Sequence, residues 1–271
     1  MKFSETVMEY SGVLTKMQTE FGNPIQYYMV FEGGFVNVNQ LLGRPMEITV
    51  KGTQCLNCQK RKRVFRQGYC YDCFTTSASA GDWIMRPELS KAHLGIADRD
   101  LDYEIQSQLQ PHIVYLAATC EVKVGVTRKT QVPTRWIDQG ASSALAILEV
   151  PNRYLAGVAE VALKSRYTDK TNWRRMLLND LTPCDLPGEH ARIASALPPE
   201  VLQYHSSQCP EVVNLEFPVL EYPSAITALN LEKTTRFTGT LTGIRGQYLI
   251  FADGSVLNVR GAEGTVVTVA V

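Results

Sequence analysis

The chain has 271 residues, 45% of them hydrophobic, and 27 lysines plus arginines against 27 aspartates plus glutamates. That length can bury a substantial core and divides naturally into two or three units, while the balanced charge excludes a general attraction to nucleic acid or anionic lipid. Any such attraction has to be local. No stretch approaches the run of about eighteen apolar residues needed to cross a bilayer, so no membrane partner is expected. Met1–Thr6 leads into no apolar core of a secretory signal, which makes the cytoplasm the expected location.

Residues 1–52 read as a first β unit, built from Gly12-Val13-Leu14-Thr15, Tyr28-Met29-Val30-Phe31, a Glu32-Gly33 turn and Phe35-Val36-Asn37-Val38. The end of the chain repeats this order: Gly239-Thr240-Leu241-Thr242, Tyr248-Leu249-Ile250-Phe251, Asp253-Gly254 and Val256-Leu257-Asn258-Val259, with Gly43 and Gly264 each six residues after the shared asparagine. Alternating apolar runs broken by Glu-Gly or Asp-Gly signal hairpins, and a set this small needs a closing partner. Residues 235–271 therefore form a second β unit resembling the first. The two are expected to pack as a pseudo-symmetric pair or to close as one barrel.

Residues 53–76 carry two C-x-x-C knuckles, Cys55/Cys58 and Cys70/Cys73. Each knuckle presents two thiolates from one tight turn, so the pair supplies the four soft ligands of a closed tetrahedral zinc site. Two disulfides would suit a secreted chain, but the other cysteines, Cys120, Cys184 and Cys209, are odd in number, and a redox dithiol needs only one motif. Four thiolates leave no open position for water, so such a zinc is structural. The loop between the knuckles holds Lys60, Arg61, Lys62, Arg63 and Arg66, with Phe65 inside the run and Tyr69 and Tyr71 after it. Cations release counterions from phosphates and aromatic rings stack on unpaired bases; a loop that only solvates the ribbon is the alternative.

Residues 77–110 read as a linker, with Pro111 ending any helix in its polar second half. Residues 111–180 change character. Strands at 112–117, 122–126 and 145–150, a helix at 130–139, a long helix from Pro151 to about Ser165, and a helix at 172–179 capped by Thr171 give the order ββαβαα. Residues 181–234 form a proline-rich helical connector. The fold class expected is α+β, with small terminal β-barrel-like units and a zinc ribbon around the central domain.

Ile113-Val114-Tyr115 and Lys123-Val124-Gly125, on adjacent strands, resemble the paired triplets of the GIY-YIG nuclease superfamily over about Pro111–Leu178. Arg135 stands where that superfamily places its arginine, Glu160 where it places its metal-binding glutamate, and Asn172 where some members carry an asparagine. The whole chain is similar to a bacterial four-cysteine family of unknown function. The superfamily resemblance implies a metal-dependent endonuclease. Glu160 would hold one Mg²⁺ or Mn²⁺, Tyr115 would orient or deprotonate water, and Arg135 would clamp the phosphate. Lys123 would contact phosphate, Asn172 would give polar support, and Gly125 would let substrate approach; Arg128 and Lys129, basic residues in the same unit, are expected to contact nucleic acid.

Two departures bear on catalysis. Lys123 replaces the second tyrosine, and Gln139 stands where many catalytic members carry a histidine; glutamine accepts no proton in that role. Three readings follow: a nuclease acting on DNA or RNA, a nucleic-acid-binding module that has lost hydrolysis, and a protein-interaction scaffold braced by zinc.

Overall fold

The computed structural model describes residues 8–271; Met1–Val7, and with them the expectation about a leader, lie outside the described residues. The chain forms two compact units, one holding the residues up to Phe74 together with Phe217–Val271, the other holding Thr75–Glu216. Among the described residues no helix is long and apolar enough to cross a membrane.

In chain order, the first unit contributes β1 (Glu9–Val13), β2 (Gln18–Glu20), β3 (Gln26–Phe31), β4 (Gly34–Asn37), β5 (Pro45–Thr53) and the short helix α1 (Tyr71–Thr76). The second unit follows with α2 (Leu101–Gln108), β6 (His112–Ala118), β7 (Val122–Arg128), α3 (Thr134–Asp138), β8 (Ser143–Val150), α4 (Arg153–Leu163), α5 (Trp173–Leu177), α6 (Leu186–Ile193), α7 (Pro199–Leu202) and β9 (Val213–Asn214). The chain then returns to the first unit with β10 (Thr227–Ala228), β11 (Arg236–Arg245), β12 (Tyr248–Phe251), β13 (Ser255–Asn258) and β14 (Thr265–Ala270). The class is α+β, as expected.

The two ends of the chain do not close into barrels. They share one seven-stranded sheet of order β1-β14-β5-β11-β12-β13-β10, beside a three-stranded sheet β2-β3-β4. The sequence repeat explains how. Ile48 pairs with Val269, and these residues stand at matching positions after Gly43 and Gly264, so the β5–β14 pair is centred on a local two-fold relation. The flanking ladders obey it: Gly12 faces Val267 on one side and Gly239 faces Met46 on the other. The matched glycines make matched bonds, Gly43 N–H to the Leu241 carbonyl (2.7 Å) and Gly264 N–H to the Leu14 carbonyl (2.9 Å). Both adopt positive φ, 78° and 84°, which a residue with a Cβ reaches only at a cost.

In the second unit a four-stranded sheet, β7-β6-β8-β9, has β6 at its centre and is antiparallel throughout. Helix α4 packs on it through Ala156, Ala159 and Leu163, against Val114, Leu116, Val124 and Leu148. Burial of that stripe, at about 25 cal/mol per Å² of apolar surface, is what holds the helix down. Asn152 caps it, accepting the Leu155 N–H at 2.9 Å, so the helix starts just after Pro151. The cap of α5 is Asn172 rather than Thr171, one residue later than the sequence suggested.

The segment read as a linker is ordered by contacts with this unit. A Cβ on Gly157 would lie 2.3 Å from the Glu88 backbone nitrogen, so glycine lets the Pro87–Glu88 turn rest directly on α4. Arg153 donates from Nε to the Trp83 carbonyl (3.0 Å) and from Nη2 to the Ile84 carbonyl (2.7 Å). Glu104, fully buried, accepts the N–H groups of Asp98, Arg99 and Asp100. These bonds replace the solvent that a mobile linker would keep.

Candidate functional site

Two places carry chemistry. In the first unit, one ligand atom from each of Cys55, Cys58, Cys70 and Cys73 lies within 4.8 Å of the others, and all four thiols are free of disulfides. Cys58 and Cys70 Sγ are 4.0 Å apart, close to the edge of a tetrahedron with metal–sulfur bonds of about 2.3 Å. The cluster can hold a metal ion such as zinc. The knuckles form because the local turns allow it: Cys55 N–H bonds the Lys60 carbonyl at 3.0 Å, Gln59 N–H bonds the Cys55 carbonyl at 2.9 Å, and Gln59 takes positive φ. The second knuckle follows a tight hairpin at Gln67-Gly68, both at positive φ, as a two-residue hairpin turn requires.

The cysteines are electrostatically unequal. Burial raises the Cys55 thiol, but hydrogen bonds from the backbone at Cys70, Cys58 and Asn57 and from the Cys58 side chain outweigh it and bring the pKa to about 6. Cys73 is helped down by Asn57, yet burial and the three neighbouring cysteines push it up to about 11. One sulfur is seated as a thiolate by backbone dipoles, while another is kept protonated by burial and by hydrogen bonds with its neighbours. A divalent cation resolves that conflict, because it needs all four sulfurs deprotonated.

Every basic residue of the ribbon loop that the sequence singled out, Lys60, Arg61, Lys62, Arg63 and Arg66, is exposed. Lys62 is partly neutralised by Asp72 at 2.8 Å.

The second place is in the other unit, on β6, β7, α3 and α4. Tyr115 and Gly125 face each other across β6 and β7. A Cβ on Gly125 would sit 2.6 Å from the Tyr115 Oη, so this glycine makes room for the tyrosine ring. A register shift in the β6–β8 ladder between Val114 and Tyr115 re-aims the side chain there, as bulges do. The ring is fully buried and packs edge-on to Trp136, centroids 5.9 Å apart. Burial pushes its phenol up against the pull of Arg135 and Gln139, which suits a hydrogen-bonding group better than a base.

Lys123 is 5% exposed, and its Nζ donates to Thr171 Oγ1 at 3.1 Å. The loop after α4 runs beside β7 to bring this about, with Val124 N–H bonding the Thr168 carbonyl. Burial, then Arg135, push the Lys123 amine down to about 8, against the opposing pull of Glu160 and Asp169. Glu160 lies in the buried stripe of α4, 8% exposed, with Oε2 3.7 Å from Lys164 Nζ. Burial raises its carboxyl, while Lys164 and Arg153 hold it down. Lys164 also pairs with Asp169 at 3.2 Å.

Tyr115, Lys123, Arg135 and Glu160 thus share one electrostatic neighbourhood. Asn172 stands beside Thr171, but its side chain is exposed and accepts the Arg175 N–H at 3.3 Å as a helix cap. Arg128 and Lys129 are exposed at the end of β7, Lys129 paired with Glu149 at 2.8 Å.

Sequence reading missed Arg153. Burial brings its pKa down to about 10, Glu160 opposes this, and Arg135 and Arg128 add to it. A signal was present: a cation at the first position of a helix opposes the macrodipole, so its presence there calls for another reason. Lys123 offers a direct check. Its ammonium is disfavoured in the fold, so the penalty is complete below about pH 8 and vanishes above the ordinary lysine value of 10.5. Lys123→Met is expected to stabilise the protein by up to about 3 kcal/mol at neutral pH. Urea titrations across pH should show that gain fading as pH rises from 8 to 10.5; a gain independent of pH would place the ammonium in water.

These features define an α+β protein with a four-cysteine cluster able to hold a metal ion and a separate cluster of cations around a buried carboxylate. A family model described as a protein of unknown function, DUF2797, matches residues 43–267, and the chain belongs to that family. No curated protein and no solved structure matches it.

Proposed function

We propose that this protein acts on nucleic acid in the cytoplasm: its second unit is a metal-dependent, GIY-YIG-like phosphodiester hydrolase, and its ribbon holds a structural zinc and contacts the strand. The observation that carries this reading is the crowding of cations in the second unit. Arg135 lowers the proton affinity of both Lys123 and Arg153, with Glu160 as the shared counter-charge. Like charges held together out of water cost energy that an anionic phosphate recovers. Seven free thiols suit a reducing compartment.

Among the described residues only the cysteines form a group of three or more metal-ligating side chains. A single carboxylate fits a hard cation that keeps most of its waters and takes phosphate oxygens as further ligands, as Mg²⁺ and Mn²⁺ do. Glu160 would hold it, and it would supply Lewis-acid stabilisation of charge on the phosphate. Arg135 forks onto the non-bridging oxygens, and Lys123, the cation brought nearest to neutrality, accepts a proton from the attacking water. The Tyr115 hydroxyl orients that water, and Asn172 with Thr171 fixes the loop against Lys123.

A second reading, a binding module that has lost hydrolysis, is favoured by the Glu160–Lys164 pair and by Gln139. A protein-interaction scaffold would bind no nucleic acid at all. Single-stranded, duplex and branched DNA and RNA, titrated at rising salt and then incubated with Mg²⁺ or Mn²⁺, separate the three. The hydrolase binds with steep salt dependence and forms product; the binding module does only the first. Absence of salt-sensitive binding to every member of the panel would overturn the reading.

A further inference from the structure

We infer that the ribbon recognises single-stranded rather than duplex nucleic acid, stacking an unpaired base on Phe65 and Tyr71; this rests on the nucleic-acid reading above and specifies its substrate. Large aromatic rings on a small domain normally turn inward, yet Phe65 is 48% exposed and Tyr71 63% exposed. The two rings meet at 80° with centroids 5.3 Å apart, and Phe65 meets Phe74 at 67° and 5.4 Å. An edge-on cluster of this kind braces the rings without covering them as a parallel stack would, and both side chains stay substantially exposed. The Arg66 guanidinium lies over the Phe65 ring at 5.3 Å, a position from which it can turn to a phosphate while the ring takes a base.

The ribbon's buried cluster does not include these rings: it consists of Cys55, Cys70 and Cys73, with Cys58 and Tyr69 packed against them. The loop that carries Phe65 also carries the exposed cations Lys60, Arg61, Arg63 and Arg66. Cations alone would grip any backbone; exposed rings beside Arg66 add a contact that only unstacked bases can make. In duplex the bases are closed to such rings, so the aromatic part of the surface would contribute nothing.

The test uses the full zinc-loaded chain without Mg²⁺ or Mn²⁺, a fluorescent oligothymidylate of about 20 nucleotides and a hairpin duplex of equal charge, read by anisotropy. Tighter binding of the single strand is expected. Phe65→Leu should weaken it about 5- to 100-fold with an unchanged salt slope, whereas Phe65→Tyr should restore it. Arg63→Ala should instead reduce the salt slope by about 1. Zinc content confirms that each variant keeps its ribbon. Salt-sensitive binding in which duplex matches single strand, or in which Phe65→Leu has no effect, overturns this inference and leaves the proposed function standing. Loss of salt-sensitive binding to both probes overturns this inference, and its loss to the whole DNA and RNA panel overturns the proposed function with it.

Discussion

Replacing Cys70 by serine is expected to reduce bound zinc from about one ion per chain to near zero and to unfold the ribbon, because metal binding at such sites contributes about 10–16 kcal/mol of folding free energy. The buried cluster of this segment is made of the cysteines themselves, with Tyr69 packed against them. Cys70 also donates its N–H to Cys55 Sγ at 3.2 Å, so its turn helps to seat the first thiolate. Serine retains that N–H but gives zinc a poor ligand, and three cysteines leave the tetrahedron open. The loop from Lys60 to Arg66 offers five basic residues to trypsin. Colorimetric zinc release and limited trypsin digestion would together report the change. A variant with full zinc and an uncut loop would contradict the four-cysteine centre.

The second large effect is expected at Arg135. Lysine there keeps the charge that depresses Lys123, so the pH profile should hold its position, but the planar two-pronged contact with phosphate is lost. Arg135→Lys should slow single-turnover cleavage about 100- to 1,000-fold, the cost of removing one donor aimed at developing charge, while binding falls far less. An equal rate would show that Arg135 does not touch the scissile phosphate. A rate and pH profile that move together would instead assign it to holding Lys123.

What could be seen in the chain beforehand was what local chemistry dictates. The knuckles were legible because two sulfurs from one turn can reach one ion with little help from the rest of the fold. The order β6-β7-α3-β8-α4-α5 was legible because strand alternation, Pro151 and the caps are local signals. Gly12, Leu14 and Asn37 likewise matched Gly239, Leu241 and Asn258 in order. That the two repeats interleave in one sheet was not legible, since the pairing of Ile48 with Val269 is decided by tertiary closure. Gly157 looked like a propensity defect in a helix; its reason, the backbone of Glu88, lies in a segment without periodicity. The role of Gly125 in admitting the Tyr115 ring was not legible, because a sequence does not show that the two stand across from each other.

Glu160 joins these levels. A carboxylate among Ala156, Ala159 and Leu163 breaks the apolar pattern of α4, and burial raises its proton affinity against Lys164 and Arg153. Such a group is costly as a mere structural element, and here it is the counter-charge of the crowded cations. The most direct measurement is cleavage by the wild-type protein and by Glu160→Ala of the best-bound member of the nucleic-acid panel, in Mg²⁺ or Mn²⁺. Metal-dependent product from the wild type, lost in Glu160→Ala with binding retained, is the result expected of the hydrolase. Cleavage equal in both proteins, or none in either at saturating binding, would contradict it.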